Sequence, residues 1–185
     1  AQKTRSPNLY ERYAWSTNGM AMRMINMAGD GNGYVGNLDL KPEVAHTVSA
    51  TADWHDANRA TWGLKVTPYF TYVDNYIDAE RCSSGGASCT AANLTRTDGF
   101  VYLRFVNESA RLYGVDVAGH MLLGTTQAMG VFTGKGSLSY VRGKNPTTGD
   151  NLYNMMPLNA RLALEQKLGS WTNTVELELV ADKDK

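Results

Sequence analysis

No stretch of this sequence approaches the roughly 18 consecutive apolar residues that a membrane-crossing helix requires, which excludes a helical membrane protein. The exclusion stops there, because transmembrane barrel strands are short segments of alternating polarity and leave a much weaker signal. An excess of charge of one sign is also missing: 18 Lys+Arg face 18 Asp+Glu in 185 residues. Bulk electrostatics therefore make no case for nucleic acid or an anionic membrane surface as partner. Charged residues make up only 19% of the chain, too few for a disordered polyelectrolyte. Histidine is limited to His46, His55 and His120, with no His-x-x-x-His or H-E-x-x-H spacing. No G-x-S-x-G, P-loop or nucleophile arrangement occurs, and the carboxylates are dispersed. These absences argue against an enzyme.

What is present is alternation. From Thr61 to Tyr72 the even positions read Trp62, Leu64, Val66, Pro68, Phe70 and Tyr72, while the odd positions are polar, glycine or tyrosine. Twelve residues of period two cannot come from helical spacing. The same period runs through Val44–Trp54, with His46 as the polar intruder, and through Leu158–Leu168 and Trp171–Leu179. It is looser over Phe100–Leu123 and Val131–Arg142. Six strands follow, with room for a seventh at Leu9–Trp15. The 18 Gly and 10 Tyr suit such a strand- and turn-rich chain.

The connections alternate in length. Short links fall at His55–Ala60, Gly124–Gly130 and Gly169-Ser170. Long ones fall at Ser16–Asp39, Arg81–Asp98 and Gly143–Met156. Short turns on one edge and long loops on the other describe an all-β, antiparallel up-and-down meander. Transmembrane barrels follow this rule, with short periplasmic turns and long external loops. Trp54, Trp62, Tyr72, Tyr140, Tyr153 and Trp171 sit near strand ends, where membrane barrels carry aromatic girdles. Aromatic strand ends also occur in soluble sheets, so a lipocalin-like barrel with its apolar face inward fits the pattern as well.

Five segments resemble one family in order along the chain. Gly36-Asn37-Leu38-Asp39-Leu40-Lys41-Pro42-Glu43 is similar to the G-N-x-x-L-K-P-E signature of TonB-dependent outer-membrane receptors. Arg5-Ser6-Pro7-Asn8-Leu9-Tyr10-Glu11 ahead of it, and Pro68–Ile77 after it, resemble further stretches of the same receptors. Asn107, Ala110, Gly114 and Asp116 fit another of their strands, with Asp116 where the family usually has Glu. Met156-Pro157-Leu158-Asn159-Ala160-Arg161 resembles one of their strand starts. The resemblance implies that residues 1–185 are six or seven strands of a roughly 22-strand transmembrane β-barrel in the outer membrane. It also implies lipid around the barrel and energy from the TonB complex through an N-terminal plug. Both chain ends look cut, and plug, TonB box and final aromatic strand are expected to lie outside this segment. Alone, the segment is expected to aggregate through its open strand edges.

Within the family, Tyr13-Ala14-Trp15-Ser16-Thr17 and Gly29–Gly36 look most like the copper-receptor branch, which implies copper uptake. Between them lies Met20-Ala21-Met22-Arg23-Met24-Ile25-Asn26-Met27. Thioethers are soft ligands suited to Cu(I), and spacing of two puts Met20, Met22 and Met24 on one face of an extended chain. Met27 completes the candidate set, with Met155-Met156 in another long loop as a weaker addition. The alternative is a methionine stripe that fills irregular space, in a receptor for a siderophore or another ligand. Gly29-Asp30-Gly31-Asn32-Gly33 lacks the spaced carboxylates and closing Glu of a calcium loop and reads as an external loop. Cys82 and Cys89 enclose six small or flexible residues and, in an oxidising envelope, are expected to form a disulfide; with no nearby His they make a poor zinc site.

Overall fold

The computed structural model describes residues 1–14, 25–27, 31–83, 89–95 and 101–182. Nine strands carry these residues: β1 (Gln2–Arg5), β2 (Gly33–Val35), β3 (Glu43–Ser49), β4 (Ala52–His55), β5 (Trp62–Arg81), β6 (Tyr102–Thr126), β7 (Gly130–Lys144), β8 (Asn159–Leu168) and β9 (Trp171–Val180). Two short helices join them, α1 (Leu9–Tyr13) and α2 (Ala91–Thr95). The strands form one sheet in the order β1-β3-β5-β6-β7-β8-β9, with β4 paired to β5 and β2 laid parallel on β6. This is the expected antiparallel meander, with β5 and β6 reaching 20 and 25 residues. Strands of that length far exceed the usual five or six residues.

One expected strand is a helix. The room left for a strand at Leu9–Trp15 is taken over Leu9–Tyr13 by α1. Asn8 caps it: its side chain accepts from the Glu11 N–H at 2.9 Å, and the Glu11 carboxylate accepts from the Asn8 N–H at 2.7 Å. This reciprocal capping box satisfies two orphan donors and outweighs the apolar alternation of five residues. A second difference is a break in the run Val44–Trp54, which is split into β3 and β4. The register Ala52↔Val66 places Ala50 opposite Pro68, and the Ala50 N–H donates to the Pro68 carbonyl at 3.3 Å. Pro68 has no N–H to return, so the ladder lapses there.

Contacts divide the chain into two units. Unit 1 comprises residues 1–46, 71–111 and 144–154, and unit 2 comprises 47–70, 112–143 and 155–185.

Unit 2 is a wall with two chemically distinct faces. The rungs Gly134↔Leu164↔Val175, Gly136↔Leu162↔Leu177 and Leu138↔Ala160↔Leu179 form one apolar face across β7, β8 and β9. Their neighbours, Thr133↔Glu165↔Thr174, Lys135↔Ala163↔Glu176 and Ser137↔Arg161↔Glu178, form the polar face. There Lys135 pairs with Glu165 at 2.6 Å, and Arg161 lies 3.1 Å from Glu176 and 3.6 Å from Glu178. The apolar face is not a closed core: Leu162, Leu164, Val175 and Leu177 are all exposed, Val175 at 73%.

The hairpin between β4 and β5 is held by one carboxylate. Asp56 accepts from the N–H groups of Thr61, Trp62 and Ala60 at 3.1, 3.2 and 3.3 Å. Partial desolvation works against its charge, but these donors outweigh it and hold the carboxyl at about 2, below its ordinary 3.8. A depressed folded value contributes stability that is complete above the ordinary value and is lost as pH falls through the folded one. The amide shifts of Ala60, Thr61 and Trp62 in the whole receptor should therefore titrate near pH 2. Asp56→Asn should abolish the step, and a midpoint near 4 would show the donors do not hold the carboxylate.

Unit 1 has the true core. Tyr34, Phe105, Ile77, Leu40, Val101, Leu103 and Ala14 are buried together, with Tyr34 and Phe105 stacked at 5.7 Å.

Candidate functional site

The Gly36–Glu43 segment organises unit 1, and the chemistry of each residue explains its place. A Cβ on Gly36 would collide with the backbone of Arg12, so only glycine lets α1 approach β2 closely enough for the Gly36 N–H to reach the Ala14 carbonyl at 2.6 Å. Asn37 donates to the Phe105 carbonyl at 3.0 Å. Leu40 enters the core. The Lys41 N–H donates to Asn107 Oδ1 at 2.7 Å, and Asn107 Nδ2 donates to the Asn75 carbonyl at the same distance. Glu43 accepts from Arg5 Nε at 2.6 Å with one oxygen and from the Ile77 N–H at 2.8 Å with the other. Arg5 also donates to Glu11, at 2.9 and 3.1 Å. One guanidinium thus ties β1 and β3 to α1. Sequence reasoning missed this Arg5–Glu11–Glu43 group, although all three residues stand in the segments that carry the resemblance.

Beside the group lies a mixed pocket of about 380 Å³, whose lining includes Arg5, Glu11, Glu43, Tyr76, Met27 and Asn154. Met27 is the one member of the candidate methionine set among the described residues; Met20, Met22 and Met24 lie outside them. It is held at three points. Its N–H donates to the Tyr34 hydroxyl at 2.9 Å, and its carbonyl accepts from Asn154 Nδ2 at 3.2 Å. Its side chain packs against the buried cluster. The second contact joins residues 127 positions apart and sets Met27 beside the chain that continues into Met155 and Met156. No sequence signal could have found Asn154. Among the described residues no three His, Cys, Asp or Glu side chains gather as a metal-ligand set.

Cys82 and Cys89 are bonded as a disulfide, with Cα atoms 4.9 Å apart. The clasp is fixed to β6 by a side chain that sequence reasoning overlooked. Buried Asn93, on α2, donates to the Cys82 and Tyr102 carbonyls at 3.2 and 2.8 Å and accepts from the Tyr102 N–H at 2.8 Å. All of its strong hydrogen-bonding positions thereby have partners, as burial demands.

Residues 1–183 match the family described as TonB dependent receptor-like, beta-barrel. The chain belongs to that family. No curated protein matches it. Among solved structures it is similar to one titled copper transporter OprC, with a TM-score of 0.65, 19% identity and coverage of 97% of this chain. The chain spans about a fifth of that structure's length, 22%. At this identity the likeness establishes the fold.

Family membership decides between the two architectures left open by the sequence. Barrels of this kind turn an apolar strand face to lipid and a polar face to the lumen, and the exposed apolar face of unit 2 and the polar face with the Arg161 and Lys135 ion pairs are consistent with that arrangement. No helix among the described residues is long and apolar enough to cross a membrane, and strands do the crossing in this family. From Trp62 to Phe70, both in unit 2 and both exposed, runs about 26 Å of extended chain. At barrel tilt this covers about 20 Å of the roughly 25 Å apolar band. The family consists of transport receptors, so the expectation of a non-enzyme stands with it.

Proposed function

We propose that this chain is part of the wall and external loops of an outer-membrane receptor that imports copper, energised by the TonB complex through a plug elsewhere in the protein. Met20, Met22, Met24 and Met27 are the proposed ligands for Cu(I), and the Cys82–Cys89 disulfide is proposed to restrain another external loop. The observation that carries this reading is the fixing of Met27, the last residue of the methionine-rich sequence 20–27, beside an open, partly acidic pocket. The neighbour titled copper transporter supports it. Thioether sulfur is the one donor in that loop that prefers a soft ion, since Arg23 and Asn26 offer it nothing.

The test is Cu(I) binding to the whole receptor with the four methionines changed together to leucine. Leucine keeps the apolar bulk and removes the sulfur. Affinity should fall by at least about a hundredfold, near 3 kcal/mol, if several thioethers leave together. Unchanged affinity would overturn the assignment. It would instead support a receptor for another ligand, a reading favoured by the packing of Met27 against the core, where its sulfur serves as filler.

A further inference from the structure

The apolar outer face of unit 2 is not flat. An open groove of about 870 Å³ crosses it from β5 to β9. Gly119, Gly134 and Gly136 line it, Leu64, Leu123 and Leu162 stand beside these glycines, and Trp62 is part of the lining. Two of these glycines have no backbone reason to be glycine. A Cβ on Gly134 would meet nothing nearer than Leu123 Cδ1 at 3.4 Å, and one on Gly136 nothing nearer than Leu162 Cδ2 at 3.4 Å. Gly114 differs, since a Cβ there would strike the Tyr140 carbonyl. Glycine inside a strand weakens it, and close approach of a ligand is one of the physical uses that offset this cost.

The groove specifies its ligand class. Its lining offers hydrocarbon and almost no polar surface, so the occupant is hydrocarbon too. It lies on the face that the barrel turns to lipid, so it is continuous with the membrane interface rather than with the lumen. It reaches from the short turns at one end of the strands as far as Leu138 and Ala160, at the opposite end of β8. Trp62 directly follows the turn after β4, while Leu123, Leu164 and Val175 stand within about five residues of the turns after β6 and β8. Short turns of such barrels are periplasmic. The exposed rings of Trp54, Trp62 and Trp171 gather at the same turns, at the depth where indoles sit among lipid headgroups. We propose that this groove is a binding site for one acyl chain of a phospholipid from the periplasmic leaflet, with the tryptophans beside its headgroup.

Native mass spectrometry of the whole receptor, purified in mild detergent, tests this by counting and identifying retained lipid. The natural receptor should keep a phospholipid, and Gly134→Val/Gly136→Val should lose it while still migrating as a folded, heat-modifiable barrel. If the double variant fails to fold, Gly136→Ala, which adds one methyl in open van der Waals contact, should weaken retention in a folded receptor. Retention of the same phospholipid by the filled variants would overturn the proposal. So would absence of phospholipid from the natural receptor, or discovery of lipid A or a second protein chain in its place.

Discussion

A Gly114→Val receptor should fail to assemble the wall at β5–β7, leaving little heat-modifiable barrel in the membrane fraction. Gly114 lies on the polar side of β6, where a Cβ would collide with the Tyr140 carbonyl and stand 2.6 Å from the Tyr69 hydroxyl and 2.8 Å from its Cζ. The Tyr69 ring therefore lies over the bare glycine, an arrangement in which an aromatic covers backbone that lacks a side chain of its own. A clash with a flexible side chain is cheap, because the chain swings away. A clash with a strand carbonyl is not, since moving it breaks the ladder that positions it. Overpacking of this kind costs about 3 kcal/mol or more when the backbone has to shift. Gly114→Val/Tyr69→Ala removes only the side-chain half of the conflict and should recover little. Full recovery in that double variant would mean that Tyr69, not the backbone, sets the limit.

Removing the Glu43 carboxylate should destabilise unit 1 by about 2 to 3 kcal/mol. Its side chain is only 12% exposed, and its two oxygens have separate duties, one to Arg5 and one to the Ile77 N–H. Glu43→Ala removes the side-chain acceptor of an N–H on a residue that is itself 2% exposed. The Arg5 side of the loss is smaller. Its side chain is 46% exposed and keeps Glu11, so water and the second carboxylate absorb part of the change. Glu43→Gln separates the two effects, because the amide oxygen still accepts from Ile77 while the charge is gone. Less than half of the loss should remain, read as the shift in urea midpoint of the detergent-solubilised receptor. Equal loss in both variants would place the whole effect on the ion pair.

How far the sequence could be read follows from the range of each interaction. The wall was legible because alternation is local: Leu162, Leu164 and Leu168 announce one face and Arg161, Glu165 and Lys167 the other without knowledge of any partner. The capping box at Asn8 and Glu11 is equally local, but it competes with apolar spacing near Leu9 that suggests a strand. The lapse at Ala50 could have been foreseen only with the register, since Pro68 acts on it from the neighbouring strand. The parallel pairing of β2 on β6, and the bond from Asn154 to Met27, join parts of the chain that share no pattern. The family signature stands between these cases. Its residues were recognisable, but that Asn37 and Asn107 hold carbonyls and amides of other strands is a fact of geometry alone.

The central claim is that this chain is a membrane wall, lipid outside and polar lumen within. Spin labels placed singly along β8 of the whole receptor in lipid test it most directly. Labels at Leu162 and Leu164 should be open to oxygen dissolved in the bilayer and closed to a water-soluble nickel chelate. Labels at Ala163 and Glu165 should show the opposite, giving a period of two along the strand. A flat profile, or the reverse phase with Leu162 and Leu164 shielded from lipid, would contradict the account.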